Sequence, residues 1–404
     1  MKRPDTRSWV VIAILGAAGS ITPMTVDMTL PALPEIARDF AVTPAEAQLT
    51  ISAFLIAYAF AQLIYGPLSD RFGRRPVLLA SVAFFAMASA GCIFSPDLET
   101  LLVGRFIQGA GAAATMAIGR ACIRDIYGPD ATRAMSLLMM WTGFAPVAAP
   151  LLGGVAVGFG GWQSLFVVLL SVSIAIWTVI FMFLDETNQH LNNEATRVRP
   201  IARNFGFVCR HRVFLGYAVV TIGLYGSLFA MLSSLPFILR QQLSVTPEEI
   251  GLSFATLMIG QIVGATVSAR LTVWRSGVWF ILSGSGIMLI ALALLLSFIH
   301  VGAVGLGFLV GPLLIFMLGF GLATPSVYAG VLAPFPTIAG SVSSLMGVIQ
   351  FISGAILGTV AVALSDGTGM ALGLQMIAQI VAVVAAALLV VRPGLRRMAE
   401  LVER

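Results

Sequence analysis

The stretch GPLSDRFGRR, residues 66–75, lies between the apolar runs ISAFLIAYAFAQLIY (51–65) and VLLASVAFFAMASAGCIF (77–94). Four of its ten residues are charged: Asp70, Arg71, Arg74 and Arg75. Only 10% of the whole chain is charged, 58% is hydrophobic, and the mean hydropathy is +0.98. Because so few charges cannot cover a soluble protein of 404 residues, this pattern indicates a polytopic membrane protein.

Apolar runs recur along the chain at the length of a membrane helix, which is about 20 residues for a hydrocarbon core of about 30 Å. They are continuous rather than alternating, which favours an all-α membrane protein over a β-barrel. The first run follows basic residues, as in a signal peptide, but it continues to about residue 34, so we interpret it as a retained helix. We expect twelve segments, numbered 1 to 12: 9–34, 45–67, 77–95, 99–122, 132–157, 163–184, 213–239, 249–271, 277–299, 303–331, 338–364 and 369–391.

The basic residues predict the orientation of these segments. Arg38 and Arg240 fall in odd-numbered connections, and Arg105 lies inside segment 4. The other 20 of the 23 lysines and arginines lie at the termini, in even-numbered connections or at the segment ends that border those connections, so both termini are expected in the cytoplasm. The pI of about 9.5 reflects this bias, and no nucleic-acid partner is expected.

The segments divide six and six at the longest connection, which is polar and basic. IQGAGAAATMAIG (107–119) and MLGFGLATPSVYAG (317–330) echo each other about half a chain apart, as in transporters built from parallel repeats. We therefore expect two pseudo-symmetric bundles of six helices. The expected parts are an N-terminal bundle (1–184), a cytoplasmic linker with a short surface helix (185–212), a C-terminal bundle (213–391) and a cytoplasmic tail (392–404).

No pattern of residues indicates an enzyme, a channel or a bound metal. The three cysteines and three histidines are scattered, without the spacing of a disulfide framework or a metal site. The segments contain no Ser-His-Asp set and no paired carboxylates, and no repeated filter loop is visible. We expect neither catalysis nor a cofactor.

Two charged residues lie where charge is costly, Asp27 in segment 1 and Arg105 in segment 4. At 1.5 Å per residue they lie about 13 Å and about 9 Å below the outer surface, so a direct or water-bridged pair is possible. One reading is a static ion pair between two helices. The other is that Asp27 takes and releases a proton, since low dielectric favours its neutral form and a nearby arginine its charged form. The second half has no acidic residue inside a segment, so coupling is expected in the first half.

Further candidates are less specific. In segment 5, Pro146 and Pro150 should bend the helix, and Gly153 and Gly154 should permit close packing. Asp125, expected at the cytoplasmic edge, is either a solvated helix-end charge or part of a gate. A mostly apolar, adaptable substrate cavity is expected around side chains that are alternatively ordinary packing residues: Met24, Tyr58, Gln108, Tyr225, Phe229, Gln261, Tyr328 and Gln350.

These motifs resemble those of a known family. GPLSDRFGRR fits the signature G-x-L-x-D-R-x-G-R-R of the major facilitator superfamily at every fixed position, and LLVGRFIQGAGAA (101–113) is similar to its helix-4 motif. APVAAPLLGG (145–154) resembles the antiporter motif G-x-x-x-G-P-x-x-G-G, with alanines at 145 and 149. DMTLPALPEIARDF (27–40) and RACIRDIYG (120–128) resemble the 12-helix drug:proton antiporters of the Bcr/CflA type.

The resemblance implies roles for individual residues. Asp27 corresponds to a membrane carboxylate that handles protons and substrate, and Arg105 to an essential arginine. Asp70 corresponds to a loop acid that stabilises one conformation, and Arg74 to the partner of Asp125. The second helix-1 acid of some relatives is absent, which argues against two-carboxylate coupling. We refer to seven positions as the gate residues: Gly66, Asp70, Arg71, Gly73, Arg74, Arg75 and Asp125.

The expected function is therefore proton-driven efflux of amphipathic drugs, neutral or monocationic, of the bicyclomycin or chloramphenicol type. The protein is expected in the bacterial inner membrane as a monomer that works by alternating access, with drugs, protons and the lipid bilayer as its partners. The alternative is a proton-coupled carrier of a small metabolite or nutrient on the same fold. Few hydrogen-bonding residues are predicted to face the cavity, which disfavours a sugar carrier.

Overall fold

The computed structural model describes residues 6–128, 131–188, 191–192, 198–272, 274–303 and 305–395. The basic residues Lys2 and Arg3, and the tail from residue 396, lie outside the described residues. The described chain is almost entirely helical. Its helices are α1 (Thr6–Gly19), α2 (Ile21–Thr29), α3 (Leu33–Asp39), α4 (Pro44–Phe72), α5 (Arg74–Ile93), α6 (Leu98–Tyr127), α7 (Ala131–Gly160), α8 (Gln163–Phe183), α9 (Val198–Val208), α10 (Arg212–Leu243), α11 (Pro247–Leu271), α12 (Gly277–His300), α13 (Leu306–Leu332), α14 (Ala339–Ala363) and α15 (Met370–Ala386). A 3-10 turn (Leu30–Ala32) joins α2 to α3, another (Pro336–Ile338) precedes α14, and a π-helical turn (Ala387–Val391) follows α15.

Twelve stretches of the described chain are helical, long and apolar enough to cross a membrane. This confirms the predicted number. Segments 2–6 correspond to α4–α8 and segments 7–12 to α10–α15. The helix expected in the linker is α9.

Segment 1 is a single span, as predicted, but its helix is interrupted along its length. The span runs from Trp9 to Asp39 through α1, α2 and α3. α1 and α2 meet at Ser20, one turn before Pro23, whose ring supplies no N–H to the Gly19 carbonyl and so interrupts the helix; the Ser20 hydroxyl donates to the carbonyl of Gly16 (2.9 Å). Pro31, which supplies no backbone N–H, then lies in the 3-10 turn.

The connection between segments 2 and 3, within residues 66–75, is far shorter than the predicted segment boundaries imply. α4 continues to Phe72 and α5 begins at Arg74, so that Gly73 alone is non-helical, with φ of +98°. The predicted turn is therefore a one-residue junction between two helices. Helices extend past the membrane here because the charged residues of their ends remain compatible with helix in water.

The chain divides into two compact units: residues 1–197 with 246–255, and residues 198–245 with 256–404. In the first unit α6 packs against both α4 and α5, and α2 packs against α7. Gly109 and Gly111 of α6 lie against the backbones of Phe54 and Phe85, where a Cβ has no room. In the second unit α12 packs on α13, and α10 packs on α14 and α15.

Candidate functional site

Arg105 is fully buried within the first unit and is held by several groups. The close approach of α4 to α6 brings the Thr50 carbonyl to its Nε, which donates at 3.0 Å. Its guanidinium carbon lies 4.9 Å from the ring centroid of Phe54 and 5.7 Å from that of Phe166, where the ring faces stabilise a cation. Its Nη2 is buried and has no acceptor among the described residues. The arginine therefore keeps one donor group available.

Gln108, one turn along α6, orients this arginine. Its Oε1 accepts from Arg105 Nη1 at 2.6 Å, and its Nε2 donates to Ser89 Oγ of α5 at 2.8 Å. The side chain is fully buried. The sequence predicts Gln108 in the lining of the substrate cavity; instead both ends of its amide are engaged, because α4, α5 and α6 converge around it.

Asp27 lies on α2, and only 6% of it is exposed. Among the described residues it forms no ion pair, so of the two arrangements considered possible, the direct pair with Arg105 is not formed. Thr50 and Gln108 engage two of the guanidinium nitrogens, and the third, Nη2, has no acceptor among the described residues. The first half of the chain thus holds a buried carboxyl and a buried guanidinium that are not joined to each other.

Two other predicted cavity residues lie in the same unit. Met24 is half-buried, one turn before Asp27 on α2, and Tyr58 of α4 is buried. Tyr58 lies close enough to Arg120 for an electrostatic interaction. Arg120 lies near the end of predicted segment 4 (99–122); α6 continues beyond it to Tyr127, and the arginine is half-buried within the helix. Gly128, a helix-ending residue, was the signal for this longer helix.

Three predicted cavity residues come together in the second unit. The rings of Tyr225 and Tyr328 lie 6.5 Å apart, and the Tyr328 hydroxyl donates to the Gln350 amide oxygen. Phe320 packs edge-on against Tyr225 at 5.3 Å. This aromatic and amide cluster joins α10, α13 and α14.

The other two predicted cavity residues of this unit are packing contacts. Phe229 of α10 covers Gly354 of α14, where a Cβ would overlap its ring. Gln261 is half-buried on α11, and its carbonyl lies against Gly321 of α13.

The gate residues form an ion network centred on Arg74. Arg74 Nη1 lies 2.5 Å from Asp70 Oδ1, and Arg74 Nε lies 3.1 Å from Asp125 Oδ2. Ser69 Oγ accepts from the same guanidinium at 2.6 Å. The expected pairing of Arg74 with Asp125 is thus present, and it ties the α4–α5 junction to the end of α6.

The remaining gate residues lie around this centre. Arg75 donates to the carbonyl of Phe181 at the end of α8 (2.7 Å). Arg71 lies over the ring of Phe72, with 5.1 Å between guanidinium carbon and ring centroid. Gly66 is inside α4, and a Cβ at this position would have no atom within 4 Å, so space does not require a glycine there.

Sequence reasoning missed the segment after α8, which forms hydrogen bonds to the α4–α5 junction. The backbone N–H groups of Arg74 and Arg75 donate to the Glu186 carboxylate (2.9 and 3.1 Å), which caps the start of α5. The Asn188 side chain donates to the Asp70 carbonyl (3.2 Å) and covers the end of α4. Glu186 and Asn188 lie more than 100 residues along the chain from these partners, and no spacing rule could connect them.

The predicted antiporter motif lies inside α7. Pro146 and Pro150 are both interior prolines of this helix. Gly153 lies against the backbone of Met28 in α2, and Gly154 against the backbone of Pro247 at the start of α11. The predicted close packing at the two glycines is confirmed. No group of three or more His, Cys, Asp or Glu side chains in the described part of the chain could hold a metal ion.

Comparison with known proteins gives a consistent picture. The sequence model of the Major Facilitator Superfamily matches residues 15–359. The uncharacterized MFS-type transporter YdgK of Bacillus subtilis is 30% identical, covering 89% of this chain and 90% of its own. A bicyclomycin resistance protein homolog of Haemophilus influenzae is 29% identical (89% and 91% covered), and multidrug resistance protein D of Escherichia coli is 26% identical (93% and 94% covered).

Solved structures agree on the fold. A bacterial homolog of the human lysosomal transporter Spinster, inward-facing and occupied, superposes with a TM-score of 0.75 at 16% identity, with 96% of each chain covered. The xylose transporter XylE of E. coli gives a TM-score of 0.71 at 12% identity, with 95% of this chain and 97% of XylE covered.

Proposed function

Because the chain belongs to the Major Facilitator Superfamily, we propose that it exports amphipathic drugs in exchange for protons across the bacterial inner membrane. It is a multi-pass membrane transporter. Relatives at 26–29% identity are named for resistance to bicyclomycin, to chloramphenicol and to multiple drugs. The proposed substrates are accordingly neutral or monocationic drugs of the bicyclomycin or chloramphenicol type.

The observation that carries the proton coupling is the environment of Asp27. Its carboxyl is buried in a membrane-spanning helix and has no counter-charge among the described residues. An ionised carboxylate in such a place is costly unless a cation or water reaches it. Uptake of a proton removes the charge, and its release needs a new partner. A site with these two states can exchange a proton for a drug.

Arg105 supplies the second part of the proposed mechanism. Thr50 and Gln108 fix the position of its guanidinium, while Nη2 has no acceptor among the described residues. That nitrogen can donate to the deprotonated Asp27 carboxylate, or to a polar group of the drug, once α2 moves relative to α6. The proton and the drug then compete for one region of the first bundle.

The gate residues provide the conformational part. Arg74 links the α4–α5 junction to α6 through Asp70 and Asp125. Alternating access by rocking of two six-helix bundles requires contacts at the cytoplasmic end that form in one state and break in another. We assign that role to this ion network, with both termini in the cytoplasm.

The test is drug transport in proteoliposomes under an imposed pH gradient. The wild-type protein should drive chloramphenicol flux, and Asp27→Asn should abolish gradient-driven flux because the amide cannot carry the proton. Drug binding by the variant, measured by equilibrium dialysis, should persist, since the amide has the size of the carboxyl.

Asp185→Asn is the matched control. Asp185 is exposed just beyond α8 and has no ion-pair partner in the described part of the chain, so this variant should transport like wild type. Proton-coupled exchange by Asp27→Asn would refute the role of Asp27. If the imposed pH gradient drove no drug flux through the wild-type protein, proton coupling itself would be refuted.

A further inference from the structure

A cavity of about 660 Å³ lies in the second unit, where α10 begins and the chain leaves α15. Gly216 of α10 packs against Val390 and Val391, and Gly394 packs against Val213. These contacts bring the two helix ends together below the cavity. The cavity is therefore a notch between two membrane helices at the level where they leave the membrane.

One side of the notch is strongly basic. Arg210 and Arg212 line it, both are exposed, and neither has an acidic partner among the described residues. A second cavity of about 470 Å³ shares Arg210 and His211 and adds Arg203 of α9. Among the described residues, no acidic side chain lines either cavity. The pair of cavities thus presents three arginines to whatever occupies them.

The notch is also lined by apolar side chains that are exposed. Leu215 and Val219 of α10 are 47% and 42% exposed, and Leu389 is 76% exposed. All three lie in membrane-spanning stretches, so their exposed surfaces face lipid tails. The notch therefore combines cationic groups at the membrane surface with hydrocarbon-facing side chains about one to two turns deeper.

His211, which also lines the notch, has a polar atom without a partner among the described residues. Its Nδ1 is buried and has no hydrogen-bond partner among the described residues. Its ring is fixed by edge contact with Phe335, at 5.0 Å between ring centroids. It also precedes α10 without capping it through its side chain, so the first backbone N–H groups of α10 remain open to an anion.

We propose that this notch binds an anionic phospholipid. The phosphate lies among Arg210, Arg212 and His211 at the start of α10, and the acyl chains follow Leu215, Val219 and Leu389. A soluble phosphate would bind the arginines but would leave the apolar side chains of the notch uncovered, whereas a phospholipid would contact both. In the proposed orientation the site lies in the cytoplasmic leaflet, whose anionic lipids attract basic segments next to the membrane.

The experiment is native mass spectrometry of the purified full-length protein titrated with dioleoyl phosphatidylglycerol or dioleoyl phosphatidylcholine. The wild type should retain the anionic lipid preferentially. Arg210→Gln combined with Arg212→Gln should weaken phosphatidylglycerol binding about 30-fold, from about 1 kcal/mol for each basic residue near an anionic surface. Both side chains are exposed and lack ion-pair partners in the described chain, so the double variant should fold.

Arg270→Gln combined with Arg275→Gln is the matched control. These two arginines are also exposed, belong to the same unit and flank the α11–α12 connection, which is predicted on the same side of the membrane. The control should retain the preference. Equal loss in both double variants, no loss in either, or displacement of the lipid by inorganic phosphate alone would overturn the proposal. Cross-linking of wild type with a photoactivatable phosphatidylglycerol should independently mark peptides containing 210–219 or 389–394, and labelling elsewhere only would refute it.

Discussion

At the scale of single residues, Gly73 carries the sharpest constraint. Its φ of +98° strains any residue with a side chain, and a Cβ would lie 2.5 Å from Glu186 Oε2. Gly73→Ala should therefore destabilise the protein by about 1–2 kcal/mol and release Glu186 from the start of α5. Thermal unfolding of the purified protein in detergent measures the loss.

Gly66 offers a control within the same ten residues. It lies inside α4 with no atom within 4 Å of the position that a Cβ would take. Gly66→Ala should be neutral or should stabilise by about 0.5–1 kcal/mol, because alanine loses less backbone entropy on folding. Equal destabilisation by both substitutions would mean that the junction geometry is not what restricts position 73.

The sequence predicts some contacts of the site and not others, and the physical reason differs from one contact to the next. Arg74 meets Asp125 because α4 and α6 end at the same side of the bundle, which alternating segments require. Asp27 and Arg105 are matched by depth alone, and depth does not determine which way two side chains turn around their helices. The hydrogen-bond acceptors of Arg105, which are the Thr50 carbonyl and the Gln108 side-chain oxygen, depend on the packing of α4, α5 and α6.

At the scale of helices, the contact between α2 and α7 depends on Gly153. This glycine lies against the backbone of Met28, next to Asp27, and leaves no space for a Cβ. Gly153→Ala should push α2 away from α7 and destabilise the first unit by about 1–3 kcal/mol, the usual range for overpacking. Hydrogen exchange of the α2 amides, followed by mass spectrometry, should report faster exchange there.

Gly143 lies ten residues earlier in the same helix and faces open space. Gly143→Ala should leave α2 exchange unchanged. If Gly143→Ala accelerated exchange in α2 as much as Gly153→Ala, a general effect on α7 would replace the proposed local contact.

Hydropathy predicts which parts of the chain are helices far better than where they bend or end. The apolar runs are long, and twelve spans follow directly from them. The break of the first span at Ser20 lies one turn before Pro23, which cannot donate a backbone hydrogen bond, and an average over hydropathy does not register a single proline. The predicted end of segment 4, at residue 122, comes too early because α6 continues to Tyr127 through charged residues that resemble a loop.

At the scale of the whole molecule, Cys209 can test the orientation. It is exposed between α9 and α10, whereas Cys92 and Cys122 are buried. A membrane-impermeant maleimide should label the protein in inside-out vesicles and leave it unlabelled in right-side-out spheroplasts, since the linker is predicted to be cytoplasmic. Gel shift or mass spectrometry measures the labelled fraction.

Cys209→Ser should remove the labelling in inside-out vesicles. Efficient labelling of spheroplasts would place the linker outside the cytoplasm and invert the predicted topology. Persistent labelling of the variant would mean that a buried cysteine becomes accessible, and the readout would then report opening of the bundle.

The two-bundle plan is predicted from the count of segments and the long linker, and the compact units follow a different division of the chain in one place. Residues 246–255, at the start of α11, group with the first unit. Their grouping arises from backbone contacts such as Gly154 against Pro247. Such contacts join residues distant in the chain, and a single sequence does not reveal them.

The one-residue junction at Gly73 leaves the chain no slack in length. Each residue inserted or deleted there would rotate α5 by about 100° about its axis. The buried face that includes Val77, Val82 and Phe85 would then turn away from its neighbours. An epitope tag, a reporter domain or an evolutionary insertion is therefore excluded from this connection, although short surface connections usually tolerate them. The rotation of α5 about its axis, relative to α4, is therefore fixed by this junction, and α4 and α5 are expected to be conserved together in length.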